Sequence, residues 1–334
     1  MRNFIYLLFL GCTVALVSCK KNKTQQNIKQ YDDAQIQAYI GSKGYTNMKR
    51  DTVGGDTTGI YYQIITPGTG APIDYSTQIS YVYTVQTVDG KYIRTDTIVN
   101  HAYGYLGSVP PAGLQLGIFD VIKRMGTKAR LIIPSRLAYG TNGTGTDTNR
   151  IAGNQAVDFY INVLNNVSKD KNGVTYTNTI DNYDDISIQK YMSRLNLQGF
   201  TKVTSGQYAG MYYKIRTAGT GTVPITGSSI VNFDYRGQLL NGNIVEPSNY
   251  STTNNITAVN TTYYLSTPVI INPLTGPGGQ IPGLVEALML GGSSGAELTI
   301  IVPSRLANGL PSVPNVYPAN SCIVYDITID TVTD

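Results

Sequence analysis

Hydrophobic and polar positions alternate along most of this chain, in short runs separated by Gly, Asn, Asp and Pro. Period-two runs such as Ile79–Thr84, Ala156–Leu164 and Cys322–Ile329 predict half-buried β-strands. β-Branched residues and tyrosines dominate them, and such side chains suit a pleated surface. Tyr31–Ile40 and Tyr183–Met192 instead place apolar residues at i, i+3 and i+4, which predicts short helices. An Asp-Asp pair precedes the apolar positions in each and reads as the cap. Asp89-Gly90 and Asn241-Gly242 predict type I′ hairpins, in which both central residues take positive φ.

The pattern occurs twice, about 150 residues apart. YDDAQIQAYI (Tyr31–Ile40) matches YDDISIQKYM (Tyr183–Met192), and GIYYQIITPGTG (Gly59–Gly70) matches GMYYKIRTAGTG (Gly210–Gly221). The most alike are ARLIIPSRLAYG (Ala129–Gly140) and ELTIIVPSRLANG (Glu297–Gly309). Each reads as a buried strand halted by a proline, Pro134 or Pro303, which cannot donate to a ladder. An identical Ser-Arg-Leu-Ala and a turn glycine follow. The second copy is about 17 residues longer across Pro247–Gln280, a Ser-, Thr-, Asn-, Pro- and Gly-rich stretch that reads as an elaborated loop. Pattern alone gives an α+β unit, twice.

Composition narrows the classes. Of 334 residues only 14% are charged, the net charge is +4, and the basic residues are scattered. That argues against a nucleic-acid surface. The 26 tyrosines, against six phenylalanines and no tryptophan, suit a solvent-exposed β protein. At the N-terminus, Arg2 and the apolar Phe4–Val17, too short to span a bilayer, read as a leader. Leu16-Val17-Ser18-Cys19 resembles a bacterial lipobox, in which the cysteine is lipidated after cleavage. The expected organisation is a signal peptide (1–18), a lipidated tether from Cys19 (19–30), a first domain (31–166), a linker (167–182) and a second domain (183–334). The chain would then be membrane-anchored through Cys19 in a bacterial cell envelope, with its domains outside the cytoplasm. Cys12 lies in the leader, so Cys322 alone remains; it has no disulfide partner and reads as core filler.

Little conventional catalytic chemistry is available. The single histidine, His101, falls in a flap-like region and is expected at the surface; it supports no Cys–His or Ser–His–Asp set. No cluster of His, Cys or acidic residues has ligand spacing, so neither metal nor cofactor is expected. The GTG segments at Gly68–Gly70 and Gly219–Gly221 precede no helical pattern and read as turns, not phosphate loops.

The IPSRLAYG segment is similar to the "IPxxLAYG" signature of FKBP-type peptidyl-prolyl isomerases, and the resemblance spans about Gly59–Asn165 and Gly210–Thr331. It implies two tandem α+β domains, each an antiparallel sheet of five or six strands curled around a short helix and preceded by an N-terminal helix. It implies prolyl isomerisation of proline-containing polypeptides, with neither acid, base nor nucleophile. Tyr83 and Tyr235 match the pocket-wall tyrosine of the "VxYxG" strand, although Val85 replaces the glycine in the first copy. Tyr139 matches the tyrosine whose hydroxyl binds a substrate carbonyl, where the second copy has Asn308. Phe159 and Tyr325 match the aromatic of the closing strand, and Leu114 and Leu284 the pocket floor. Ile281 matches the isoleucine whose amide binds substrate; the first copy has Pro111 there, with no amide to give. The family's "FD" becomes Ile93-Arg94 and Val245-Glu246, and Ile151 joins the substrate-binding set. An isomerase, a peptide-gripping module with eroded pockets and a purely structural domain pair all fit these residues.

Overall fold

The computed structural model describes residues 27–55, 57–169, 171–247, 251, 253, 257–269, 271, 279–309, 311–312 and 316–334. The segment expected as a leader and Cys19 lie outside the described residues.

The first half runs α1 (Ile28–Lys43), β1 (Lys49–Arg50), β2 (Tyr61–Thr66), β3 (Gln78–Thr87), β4 (Ile93–Arg94), β5 (His101–Tyr105), α2 (Ala112–Gly117), β6 (Lys128–Ile133) and β7 (Val157–Leu164). The second repeats that order: α3 (Ile180–Arg194), β8 (Thr201–Lys202), β9 (Tyr212–Thr217), β10 (Ile230–Leu239), β11 (Ile244–Glu246), β12 (Val259–Tyr264), α4 (Pro282–Gly291), β13 (Glu297–Val302) and β14 (Ile323–Thr333). Each half forms one seven-stranded antiparallel sheet, ordered β1-β2-β6-β7-β3-β4 with β5 also on β3, and β8-β9-β13-β14-β10-β11 with β12 also on β10. The two-residue strands at the margins take the count above the five or six expected. This is the tandem FKBP-like architecture: a sheet lays one face over its short helix, α2 or α4, and an N-terminal helix covers the other.

Packing explains the repeat. Gly113 on α2 and Gly283 on α4 let those helices approach β6 and β13 closely, since a Cβ on either would collide with Ile133 or Val302. Leu114, Ile118, Leu131, Ile133 and Phe159 are fully or nearly fully buried in one core, and Leu284, Leu288, Leu298, Ile300 and Tyr325 in the other. Burying each such side chain stabilises by about 1.5–3 kcal/mol. On the opposite face Ile36 and Tyr39 of α1, or Ile188 and Tyr191 of α3, fill smaller clusters.

The Asp-Asp pairs have a different job from the one the pattern implied. Asn27 and Thr179 cap α1 and α3, accepting from the Lys29 and Asn182 amides, so both Asp pairs lie inside the helices. Asp184 reaches the Ser-Arg-Leu-Ala corner, accepting from the Ser304 amide at 2.9 Å and its hydroxyl at 2.7 Å. Asp32 faces the Arg136 amide at 3.4 Å. The second aspartates grip the sheet: Asp33 accepts from Tyr61 Oη at 2.8 Å, and Asp185 from Tyr212 Oη at 3.0 Å and Lys202 Nζ at 2.6 Å. Each corner arginine donates to loop carbonyls, Arg136 to Thr57 and Thr58, Arg305 to Gln207 and Ala209. The identical Ser-Arg-Leu-Ala is thus a latch.

Other expectations are corrected. The hairpins are not type I′: only Gly90 (φ 70°) and Gly242 (φ 93°) are left-handed, while Asp89 and Asn241 are not. Gly90 donates to the Thr87 carbonyl and Gly242 to that of Leu239, a turn followed by one left-handed glycine. Within Pro247–Gln280, β12 is a strand and the counterpart of β5, because its Thr-Thr-Tyr-Tyr run pairs along β10. His101 is not at the surface: it is 8% exposed, and its ring meets Tyr183 at 5.5 Å from the second half. Bonds to the first domain fall within the stretch expected as a linker. Asn165 bridges Thr179, Asn178 donates to Asn162 Oδ1 and the Gly126 carbonyl, and α3 begins at Ile180.

Candidate active site

In the first domain β3 sets Tyr81 and Tyr83 on one face, with ring centroids 5.7 Å apart. The antiparallel β3–β7 register puts Val85 opposite Phe159, which brings the Phe159 ring within 5.9 Å of Tyr83. Tyr139 follows the corner, where the Ala138 and Gly140 amides close back onto the Pro134 and Ser135 carbonyls and Gly140 is left-handed (φ 61°). Burial pushes the Tyr139 hydroxyl up to about 12, helped by neighbouring Tyr83 and Tyr92. Burial and Tyr92 raise Tyr83 likewise. Both hydroxyls therefore stay protonated, as donors, at neutral pH. Phe159 is buried, and Tyr83, Tyr92 and Tyr139 are half-buried with part of each side chain facing solvent. Leu114 (1% exposed) and Ile151 (3%) pack in the same cluster.

The structure therefore gathers Tyr83, Tyr139, Phe159, Leu114 and Ile151, and adds Tyr92, which pattern reading passed over. Ile93 departs from expectation. It is 48% exposed, because alternation along the short β4 turns Tyr92 inward and Ile93 out. Arg94, where the signature has an acid, stacks on Tyr92 at 4.9 Å. Pro111 stands at the head of α2 and supplies no N–H.

In the second domain Tyr235 meets Tyr325 at 5.7 Å, and Tyr263 and Tyr317 lie close enough to both to raise their hydroxyls. Glu246 lies close enough to Tyr235 to act on its hydroxyl, and burial pushes the Glu246 carboxyl above its usual range. Ile281 sits at the head of α4 as expected, but its amide already donates to Tyr263 Oη at 3.1 Å. Tyr263 comes from β12, within the stretch read as a loop, so the pattern gave no cue to it. Leu284 and Val245 are core residues packed with Tyr325. Asn308 keeps a buried Nδ2 with no partner among the described residues. No group of three or more His, Cys, Asp or Glu side chains could hold a metal among the described residues, and no described helix is long and apolar enough to cross a membrane.

No family model and no curated protein matches this sequence. Among solved structures, the chain is similar to the three FKBP domains of wheat FKBP73, with 13% identity, a TM-score of 0.30, and coverage of 86% of this chain and 99% of that one. It is also similar to FkpA from Escherichia coli, with 23% identity, a TM-score of 0.33, and coverage of 46% and 61%. A third is a peptidyl-prolyl cis-trans isomerase from Pseudomonas syringae, with 26% identity, a TM-score of 0.30, and coverage of 40% and 90%. Superpositions at these scores transfer no residue's role.

Proposed function

We propose that this chain is an FKBP-type peptidyl-prolyl isomerase whose first domain carries the active pocket. The observation that supports this reading is the clustering of Tyr83, Tyr92 and Tyr139, each half-buried, with Phe159 and Leu114 in the first core. Isomerisation needs little more than that. Amide resonance sets a barrier of about 18–20 kcal/mol, while the cis form of an X–Pro bond lies only about 0.5–1 kcal/mol higher than trans. A dry wall of rings disfavours the planar, hydrated amide relative to the twisted one. The Tyr139 hydroxyl holds a flanking carbonyl. Proline-containing polypeptides are the substrates, and no cofactor takes part. The lipobox-like Leu16–Cys19 supports anchoring through Cys19 in a bacterial envelope, with folding of proteins outside the cytoplasm as the setting.

The second domain favours a different reading, that of a peptide-binding module. Its amide donor at Ile281 is already engaged by Tyr263, and Asn308 replaces the hydroxyl of Tyr139. A protease-coupled assay on an Ala-Leu-Pro-Phe-type peptide tests both readings on the two-domain protein. Catalysis that falls with Phe159→Ala and Tyr139→Phe but not with Tyr325→Leu supports the assignment. Turnover at the uncatalysed rate overturns it.

A further inference from the structure

Gly237 pairs with Glu246 across β10 and β11, and at the same register of the first domain Val85 pairs with Arg94. The two pockets therefore carry opposite charge at one position. In the first domain the cation stacks on a ring of its own domain. In the second, the anion has no such partner: the groups acting on Glu246 are its buried surroundings and the Tyr235 hydroxyl. Its Oε2 is buried with no hydrogen-bond partner among the described residues, and so is the Tyr325 hydroxyl beside it. Leaving such atoms unpaired is costly, so the arrangement is complete only when something donates to them.

The surroundings define the donor. Tyr325 lies beside Glu246 at Gly237, and Tyr235, Tyr263 and Tyr317 are near enough for the carboxyl to raise their hydroxyls. Ring faces attract a cation through their quadrupole, and a carboxylate opposite them adds charge and a hydrogen bond. The absence of a side chain at Gly237 keeps the site from filling, since a Cβ there would come within 2.9 Å of the Tyr325 ring and 3.2 Å of Glu246 Cβ. Access exists, because Tyr235, Tyr263 and Tyr317 are only half-buried.

We infer that the second domain is a cation-recognition site, in which Glu246 and four tyrosines take the alkylammonium group of a lysine side chain from a bound polypeptide. A prolyl ring would leave Glu246 Oε2 and Tyr325 Oη unsatisfied, whereas an ammonium supplies three donors. The compact ammonium also fits a single carboxyl oxygen better than the bidentate fork of arginine does. This inference does not depend on catalysis by the first domain.

The test follows the Gly237 amide in ¹⁵N-glycine-labelled protein containing both domains, titrated with Nα-acetyl-lysine methylamide and with the isosteric, uncharged norleucine compound. The lysine compound should shift Gly237 saturably and the norleucine compound should not. Glu246→Gln, which keeps the shape and removes the charge, should weaken lysine binding at least tenfold. Tyr317→Leu, on the half-exposed rim, should weaken it about 2- to 5-fold, the size of one exposed cation–π contact. Equal shifts by norleucine, Glu246→Gln binding within twofold of the parent, no shift with either compound, or tighter binding of N-acetyl-proline methylamide would each overturn the inference. Isomerase activity measured on the same samples reports separately on the first domain, through Tyr139→Phe.

Discussion

Tyr139 differs from phenylalanine by one oxygen, and the hydroxyl and the ring make separable contributions. The ring packs with the first core, while under the proposed function the hydroxyl, its pKa pushed up by burial, would donate to a substrate carbonyl. One neutral hydrogen bond is worth about 0.5–1.5 kcal/mol, so Tyr139→Phe should lower kcat/KM by about 2- to 12-fold and leave the melting temperature nearly unchanged. A second prediction concerns Asp184. Burial pushes its carboxyl up to about 7, against the lowering effect of the two Ser304 bonds. The folded chain thus holds a proton that the unfolded chain releases near pH 4, and stability falls as pH rises from about 4 to about 7. Asp184→Asn removes the titration, so its melting temperature should lack that decline; an unchanged slope would assign it to other groups.

Among the elements, legibility followed the range of the interactions. The helices, the long strands and the twofold repeat showed in the sequence because burial on one face imposes a local period. The caps did not. An Asp-Asp pair looks like a cap, yet Asn27 and Thr179 take that role, and Asp32 and Asp184 act on corners more than a hundred residues away. The identical Ser-Arg-Leu-Ala announced itself, but its latch function needed the partner loops. Of the pocket, Tyr83, Tyr139 and Phe159 were reachable through the signature. Tyr92 and Tyr317 had no motif around them, and Tyr263 was hidden in a strand that its polar composition disguised. The latch gives a third prediction. Arg305→Ala strips the Gln207 and Ala209 carbonyls of a charged donor and should cost about 1.5–3 kcal/mol, read as a lower urea midpoint. Arg305→Lys should recover little of it, because one ammonium cannot span both carbonyls as the guanidinium fork does.

Across the whole molecule, the two halves share a buried seam. Ile180 packs against Val82 and Leu164, Ile98 packs on the second-domain core, and Asn320 donates to Ser80. His101 lies in that seam with Tyr183, Asp184 and Cys322 around the same recess. Burial lowers its imidazole from 6.5 to about 3, and Nε2 has no partner among the described residues. The unfolded chain takes up a proton below about pH 6.5 that the folded chain refuses, so this residue removes stability as pH falls from about 6.5 towards 3. His101→Phe keeps the ring and should flatten that acid limb in thermal melts. In the same window Asp184 acts with the opposite sign, so the single variants should bend the pH profile in opposite directions.

The bonds that tie Asn178 and Thr179 to the first domain reach beyond stability. A swivelling tether would let the two aromatic clusters wander and would average their separation over many distances. Here the orientation between them is built into the protein. A polypeptide engaging both would meet the second cluster at a fixed effective concentration, high for chains whose contact points match that span and negligible for those too short to bridge it. Selection by length along a client chain would then arise from geometry, without any further contact.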